Sequence, residues 1–477
     1  MTAAAARLTD PRYPIAAGIF GLTVAIGALA GYEPKLAIAA ALGLAFVVVA
    51  IGDLAFGVAI FAVLTYLELA PVAGGGPAVS FAKLAGLTLA ISWLATLTTG
   101  RGGRARLFFS SHPAMTAAMV FFVVWAALSA TWAEDPGPTS GAVGRLALNV
   151  ALVPIIFTAL REAKHLRWVA VGVVAGAFLA ATYGLITTPN AAEVAVSQTA
   201  AGDLNRISGT VGDPNMLASV LVVGIIMALT LALDRTRSAP LRIGCVGVAL
   251  LSMSAVFATA SRGGIVALAA ALFAAVALGG PLRPRFALAA VTVVVVGVGY
   301  FAIFASAAQV DRLSVSDGGA GRTDIWKIGW RMVEANPVHG VGAGNFPVSS
   351  IHYLLEPGAI LRDEFIVDRP AVAHNMYLEV LAELGVVGLT LFLTFILISL
   401  STGIKAARKF DELGEDGLAL IARGIAVGLI STLAADVFLS NEVGKLLWLL
   451  IALGPATLSV ATLMAKRMDA EGEARPA

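Results

Sequence analysis

A single cysteine, Cys245, in 477 residues excludes any intramolecular disulfide, and its place in the apolar run RIGCVGVALL reads as a small buried hydrophobe. Charge is also scarce. Asp, Glu, Lys and Arg make up 13% of the chain, against about a quarter in a soluble domain, and hydrophobic residues 58%, with a mean hydropathy of +0.88. An ordinary soluble domain is thereby excluded. No Asp-x-Asp occurs anywhere, which argues against metal-dependent use of nucleotide sugars, and the first short outer loop, GYEPK, carries only Glu33. The Gly-rich segment at 340–344 has no Lys-Ser or Lys-Thr after it and is no phosphate-cradling loop. No His/Cys cluster has metal-ligand spacing, so neither a metal nor another cofactor is expected. A net charge of +2 says little about partners, because what matters in a membrane protein is the side on which the cations lie; no nucleic-acid partner is expected.

What is present is long apolar runs. They are rich in Ala, Leu, Val and Gly without alternation, which means lipid-spanning helices rather than barrel strands. Candidate spans cover about 13–32, 36–51, 54–70, 79–98, 114–131, 144–160, 167–187, 215–233, 243–260, 263–280, 286–305, 375–400, 418–439 and 443–463. The fold class is therefore all-α, a polytopic transmembrane bundle of about fourteen spans. Residues 1–305 hold the first eleven, 306–374 a large outer loop, and 375–477 the C-terminal spans and tail. With no small-residue cleavage site after it, the first span reads as retained. Alternate short loops concentrate Lys and Arg (Arg101, Arg104, Arg106; Arg161, Lys164, Arg167; Arg235, Arg237, Arg242; Arg283, Arg285; Lys405, Arg408, Lys409; Lys466, Arg467). The positive-inside rule then puts both termini in the cytoplasm and the 306–374 loop on the other side.

The outer short loops break that rule at only a few positions, and Arg206 and Arg262 are two of them. Arg206, in LNRISGTVGDPNM, precedes a turn-and-cap signal, Asp213-Pro214-Asn215, that should fold its loop onto a helix mouth. Arg262, in ATASRGGIVAL, sits between two apolar runs with almost no loop. No carboxylate lies within one turn of it along the chain. A guanidinium so close to hydrocarbon requires a partner, and its planar fork fits phosphate oxygens. Gly263 and Gly264 allow close approach of a backbone or ligand. The competing reading of both arginines is a side chain reaching lipid headgroups.

The long loop carries RTDIWKIGWRMVEANP, read as an interfacial helix with Trp326, Trp330 and Val333 on one stripe, and a second short helix at 348–355. The loop ends at His374 and Asn375, just before a span. His112 and His165 read as surface residues of the cytoplasmic side, His339 and His352 as structural. His374 stands at the level of the two arginines, whose charge disfavours its imidazolium; it is the candidate proton acceptor, with a simple helix cap as the alternative. Glu379 or Glu383 could orient it.

The ordered set LSATWAEDP, RISGTVGDPN, ASRGG, GRTDIW...ANPVHGVGAGNF and HNMYLEVLAELGVVGL, over about residues 115–400, resembles the bacterial O-antigen ligase and O-antigen polymerase (Wzy-type) superfamily. The resemblance implies a metal-independent inverting glycosyltransferase of the inner membrane, with its active site on the periplasmic face. It would take a glycan from an undecaprenyl-diphosphate carrier and pass it to a lipid A core or a growing polysaccharide. It places the diphosphate on Arg206 and Arg262 and the catalytic role on His374, with Arg322 as a further candidate; Asn375, beside His374, is a further substrate-binding candidate on its position. The family more often has about twelve spans, fewer than are counted here. Two alternatives share these features: a polymerase using the same donor site, and a flippase for lipid-linked glycans, although no repeated halves are visible.

Overall fold

The computed structural model describes residues 23–24, 27–32, 34–67, 81–97, 108–187, 206–303, 322–354 and 372–473. Most of the expected first span lies outside them, as do residues 304–321 and 355–371 of the long outer loop region. The described residues contain helices and turns but no strand. In chain order the helices are α1 Pro34–Gly52, α2 Leu54–Leu64, α3 Phe81–Thr96, α4 Pro113–Leu128, α5 Pro136–Ala159, α6 Ala163–Ile186, α7 Pro214–Leu233 and α8 Ala239–Ala258. They continue as α9 Arg262–Ala277, α10 Arg283–Ile303, α11 Arg322–Ala335, α12 Phe346–Leu354, α13 Met376–Glu412, α14 Asp416–Ala435 and α15 Lys445–Glu473. Among the described residues nine helices are long and apolar enough to cross a membrane, and four shorter apolar ones accompany them. Together they account for every span expected after the first. This is a polytopic helical membrane protein.

The helices begin where their caps say they should. Asp213 accepts from the backbone N–H groups of Asn215 and Met216, both at 2.8 Å, with Pro214 in the first helical position of α7. Asp135 followed by Pro136 opens α5 in the same way. Ser261 caps α9 and Asn375 caps α13. Successive helices reverse direction, so α5, α7, α9 and α13 all start at one end of the bundle, called here the site end. α7 and α14 are buried on almost every side and form its centre.

Two features depart from the expected simple spans. α13 is interrupted at Gly385, whose backbone turns to φ 64°, ψ −170°. The break leaves carbonyls without helical partners, and the loop after α11 supplies them. Val341 donates to Ala382 O at 2.9 Å, Gly342 to Glu383 O at 2.8 Å, and the Trp125 indole to Leu384 O at 2.9 Å; the freed Val386 N–H donates to Pro337 O. The crossing part of α13 therefore starts after Gly385, later than the expected span at 375. The strap lies so close that a Cβ on Gly385 would fall 2.1 Å from the Val338 carbonyl oxygen, and one on Gly340 2.3 Å from the Glu383 carbonyl carbon.

The second departure is the connection between α14 and α15. Only a gap of three residues separates the expected spans 418–439 and 443–463, and it dips inward: Val443 O accepts from Asn149, Lys445 Nζ donates to Asn149 Oδ1 at 2.7 Å, and Glu442 O accepts from the Trp448 indole. Asn149 lies about 20 Å along α5 from its start. Irregular backbone at that depth is tolerated because it is enclosed in protein and bonded there.

α11 also differs in its facing. Ile325, Ile328, Met332 and Val333 form its buried side, packed with Phe346 and Ala382, whereas Trp330 is exposed. By their spacing Trp326, Trp330 and Val333 share one side of this helix, with Trp330 exposed, while the neighbouring aliphatic face docks on α13. The second short helix, α12, is as expected. His165 is corrected as well: it is buried, its Nδ1 accepts from the Arg161 N–H at 3.1 Å, and its ring packs on Trp168.

Candidate active site

Arg206 is buried, and its guanidinium is held by two elements at once. Nε donates to the Thr259 carbonyl at 2.7 Å, at the end of α8, and Nη2 donates to Asn215 Oδ1 at 3.0 Å, in the first turn of α7. The same Asn215 oxygen accepts from Ser261 Oγ at 2.9 Å, and Ser261 in turn takes the Gly264 N–H to cap α9, whose first residue is Arg262. One amide oxygen thus ties the Arg206 loop to the helix start that carries Arg262. α9 can sit this close because a Cβ on Gly264 would fall 2.6 Å from the Ala218 Cβ of α7.

Phe438, in the turn after α14, links the other candidates. A Cβ on Gly263 would touch it at 3.4 Å, the Arg322 guanidinium stands 6.0 Å from its ring centre, and Trp326 stacks on it at 6.4 Å. The Trp326 indole donates to Ala373 O at 3.0 Å, next to His374. His374 lies near enough to Arg322 and Asp213 for both charges to act on it. Burial and then the Arg322 cation push its pKa below the usual imidazole value, with Asp213 opposing. Its neutral form, able to accept a proton, is favoured.

The backbone marks the same two junctions. Among the described residues only Ala260 and His374 are non-glycine residues with positive φ, 48° and 47°. Each immediately precedes the cap of a helix that opens on the site, Ser261 for α9 and Asn375 for α13. Such conformations persist only where the surroundings impose them. Three helix N-termini, those of α7, α9 and α13, bring their partial positive ends to this region, a setting that suits an anion.

Asn375 accepts the Leu378 N–H at 3.0 Å through its side chain and acts as the cap of α13. Neither expected orienting carboxylate is seen bonded to His374. Glu383 takes the N–H groups of Gly344 and Phe346, and Glu379 takes the Ser440 hydroxyl. His352 Nε2 donates to Glu134 Oε1 at 2.6 Å, and His339 packs on Trp132, both away from His374 in their contacts. Sequence reasoning missed Asn215, Ser261, Thr259 and Phe438. The first two were visible as cap letters, but nothing in the chain signals that Asn215 would also hold a guanidinium 9 residues before it and accept from a hydroxyl 46 residues after it. Among the described residues no group of three or more His, Cys, Asp or Glu side chains could hold a metal ion.

Residues 247–393 match the O-antigen ligase family. The chain carries an O-antigen ligase domain. That domain contains Arg262, Arg322, His374 and Asn375, together with the Gly385 break; Arg206 and Asn215 precede it and reach it through Ser261 and Thr259. The matched domain and the spanning helices support a membrane enzyme of the O-antigen ligase type. No curated protein matches the chain.

Proposed function

We propose that this enzyme transfers a glycan from an undecaprenyl-diphosphate carrier to an acceptor hydroxyl by direct, inverting, metal-independent displacement at the outer face of the inner membrane, both termini being cytoplasmic. Arg206 and Arg262 bind the diphosphate and stabilise the charge that develops on it as the glycosidic C–O bond breaks. His374 takes the proton of the attacking hydroxyl. Arg322 and Asn375 complete the substrate surface. The donor already has a good leaving group, so holding it, aligning the hydroxyl and removing one proton are sufficient tasks for the protein.

The observation that supports this most is the shared Asn215 oxygen, which binds the Arg206 guanidinium and the cap of the Arg262 helix together. The Arg206 guanidinium and the helix start that carries Arg262, far apart in sequence, are thereby tied together at the mouth of three helices. The acceptor is a lipid A core or a growing polysaccharide.

The test is direct. Purified enzyme in detergent, given lipid-linked glycan and a lipid A core acceptor, should release undecaprenyl diphosphate and form a glycosylated core with inverted anomeric configuration. Elongated carrier-linked polymer instead would reassign it as a polymerase on the same donor site. A flippase needs a sealed membrane, so absence of any product in detergent, with vectorial movement of the donor in proteoliposomes, overturns the proposal.

A further inference from the structure

At the end of the bundle opposite the site, a groove of about 300 Å³ opens between α8 and α10 with α7 as its floor. Each wall is one helical stripe. α8 contributes Arg242, Val246, Ala249, Leu250 and Met253; α10 contributes Arg285, Leu288, Thr292, Val293 and Val296; the floor is Ile225, Leu229 and Leu233, with Arg235 just beyond. The walls converge where Phe257 meets Gly297, a Cβ on the glycine falling 3.1 Å from the ring. Away from that point they splay, and all three arginines lie at the open end. Among the described residues no acidic side chain lines the groove.

We infer that this groove binds an anionic diacyl glycerophospholipid of the leaflet opposite the active site, an acyl chain lying along the apolar stripes and the phosphate on Arg235, Arg242 and Arg285. The dimensions favour this occupant. From Arg242 to Met253 the stripe runs about 16 Å along the helix axis, close to half the roughly 30 Å hydrocarbon core of a bilayer. A spanning helix of a partner would need the whole thickness, whereas one acyl chain needs one leaflet. The chemistry favours it too. A groove apolar along its length and cationic at one end matches an amphiphile with a negative head, and guanidinium groups pair with phosphate oxygens in two-point geometry. Arg242 is already aimed by a hydrogen bond from Nε to Ala232 O at 2.8 Å, and Arg285 lies 3.9 Å from Asp416. Because α7 and α8 also carry Asn215 and Thr259 at their far ends, the bound lipid would brace the two helices that hold Arg206.

Native mass spectrometry of detergent-purified enzyme, titrated with phosphatidylglycerol or phosphatidylcholine of identical chains, tests the inference. Phosphatidylglycerol should be retained about tenfold or more over phosphatidylcholine, since each arginine adds to anionic lipid attraction. Replacing all three arginines by glutamine should abolish that preference, replacing them by lysine should keep most of it, and Ala249→Trp should block retention while leaving every charge in place. A benzoylphenylalanine at Val246 should cross-link to lipid. Equal retention of the two lipids, a glutamine variant that is monodisperse and still selective, or cross-linking of Val246 to protein instead would each overturn the assignment.

Discussion

His374 stands in a left-handed backbone conformation at the cap of α13, with its imidazole pushed toward neutrality by burial and Arg322. His374→Ala should lower glycan transfer roughly 10² to 10⁴-fold while donor binding, read by calorimetry, changes little; loss of binding with unchanged single-turnover chemistry would exchange its role with the arginines. The sign of the pH effect follows from the shift. A base with a lowered pKa stays neutral until the pH falls below its ordinary value near 6.5, so the acid limb of the rate profile should lie below that value. Arg322→Gln should move this limb upward, toward the usual imidazole range. For stability the unfolded chain binds the His374 proton more tightly, so this residue's contribution declines as pH drops from about 6.5 through the folded value. Asn215 is the sharper test of the arginine network. Asn215→Ala removes the acceptor shared by Arg206 and Ser261 and should weaken donor binding about ten- to hundredfold, as expected for hydrogen bonds to a charged group. Unchanged affinity would detach the cap from the site.

At the scale of elements, the break in α13 and the strap over it form one unit. Gly385→Ala places a methyl group against the Val338 carbonyl and forces a non-glycine residue to φ 64°. It should cost about 1–3 kcal/mol and lower the midpoint of thermal unfolding in detergent, with transfer activity falling too, since the short helix that begins at Asn375 hangs on this joint. The run HNMYLEVLAELGVVGL reads along the chain as one apolar helix with a tolerable glycine. What turns Gly385 into a break is the backbone of Pro337 and Val341, contributed by a distant segment. The same limit explains α11, where amphipathic spacing correctly indicated a helix but the choice of the Ile325/Ile328/Met332 face depended on α13 being there to meet it. Spans and caps were legible because lipid and local hydrogen bonding act over a few residues. Arg206, Arg262 and His374 were legible as cations and a base at helix mouths, but the Asn215 and Phe438 links between them join residues with no sequence relation.

Across the whole molecule the end away from the site has its own anchor. Arg423, 3% exposed in α14, makes two hydrogen bonds to Asp411 of α13, at 3.0 and 2.5 Å, and a third to Leu278 O after α9, at 2.9 Å. Arg423→Ala leaves the half-buried Asp411 carboxylate and the Leu278 carbonyl without their donor and should cost about 1–3 kcal/mol, read as an earlier thermal transition. Activity per folded molecule should hold, because none of these groups contacts the site; a stable but inactive variant would show that the two ends are coupled. The strap has a consequence for biosynthesis. Residues 337–342 leave the ribosome before 382–386, so the backbone groups they are to clasp do not yet exist. At typical elongation rates that interval lasts roughly two to eight seconds, during which this stretch must stay solvated or be shielded by the insertion machinery. Slowing translation between these two points should lengthen the window for proteolytic nicking, leaving upstream fragments of the chain whose abundance reports how long the clasp waited for its partner.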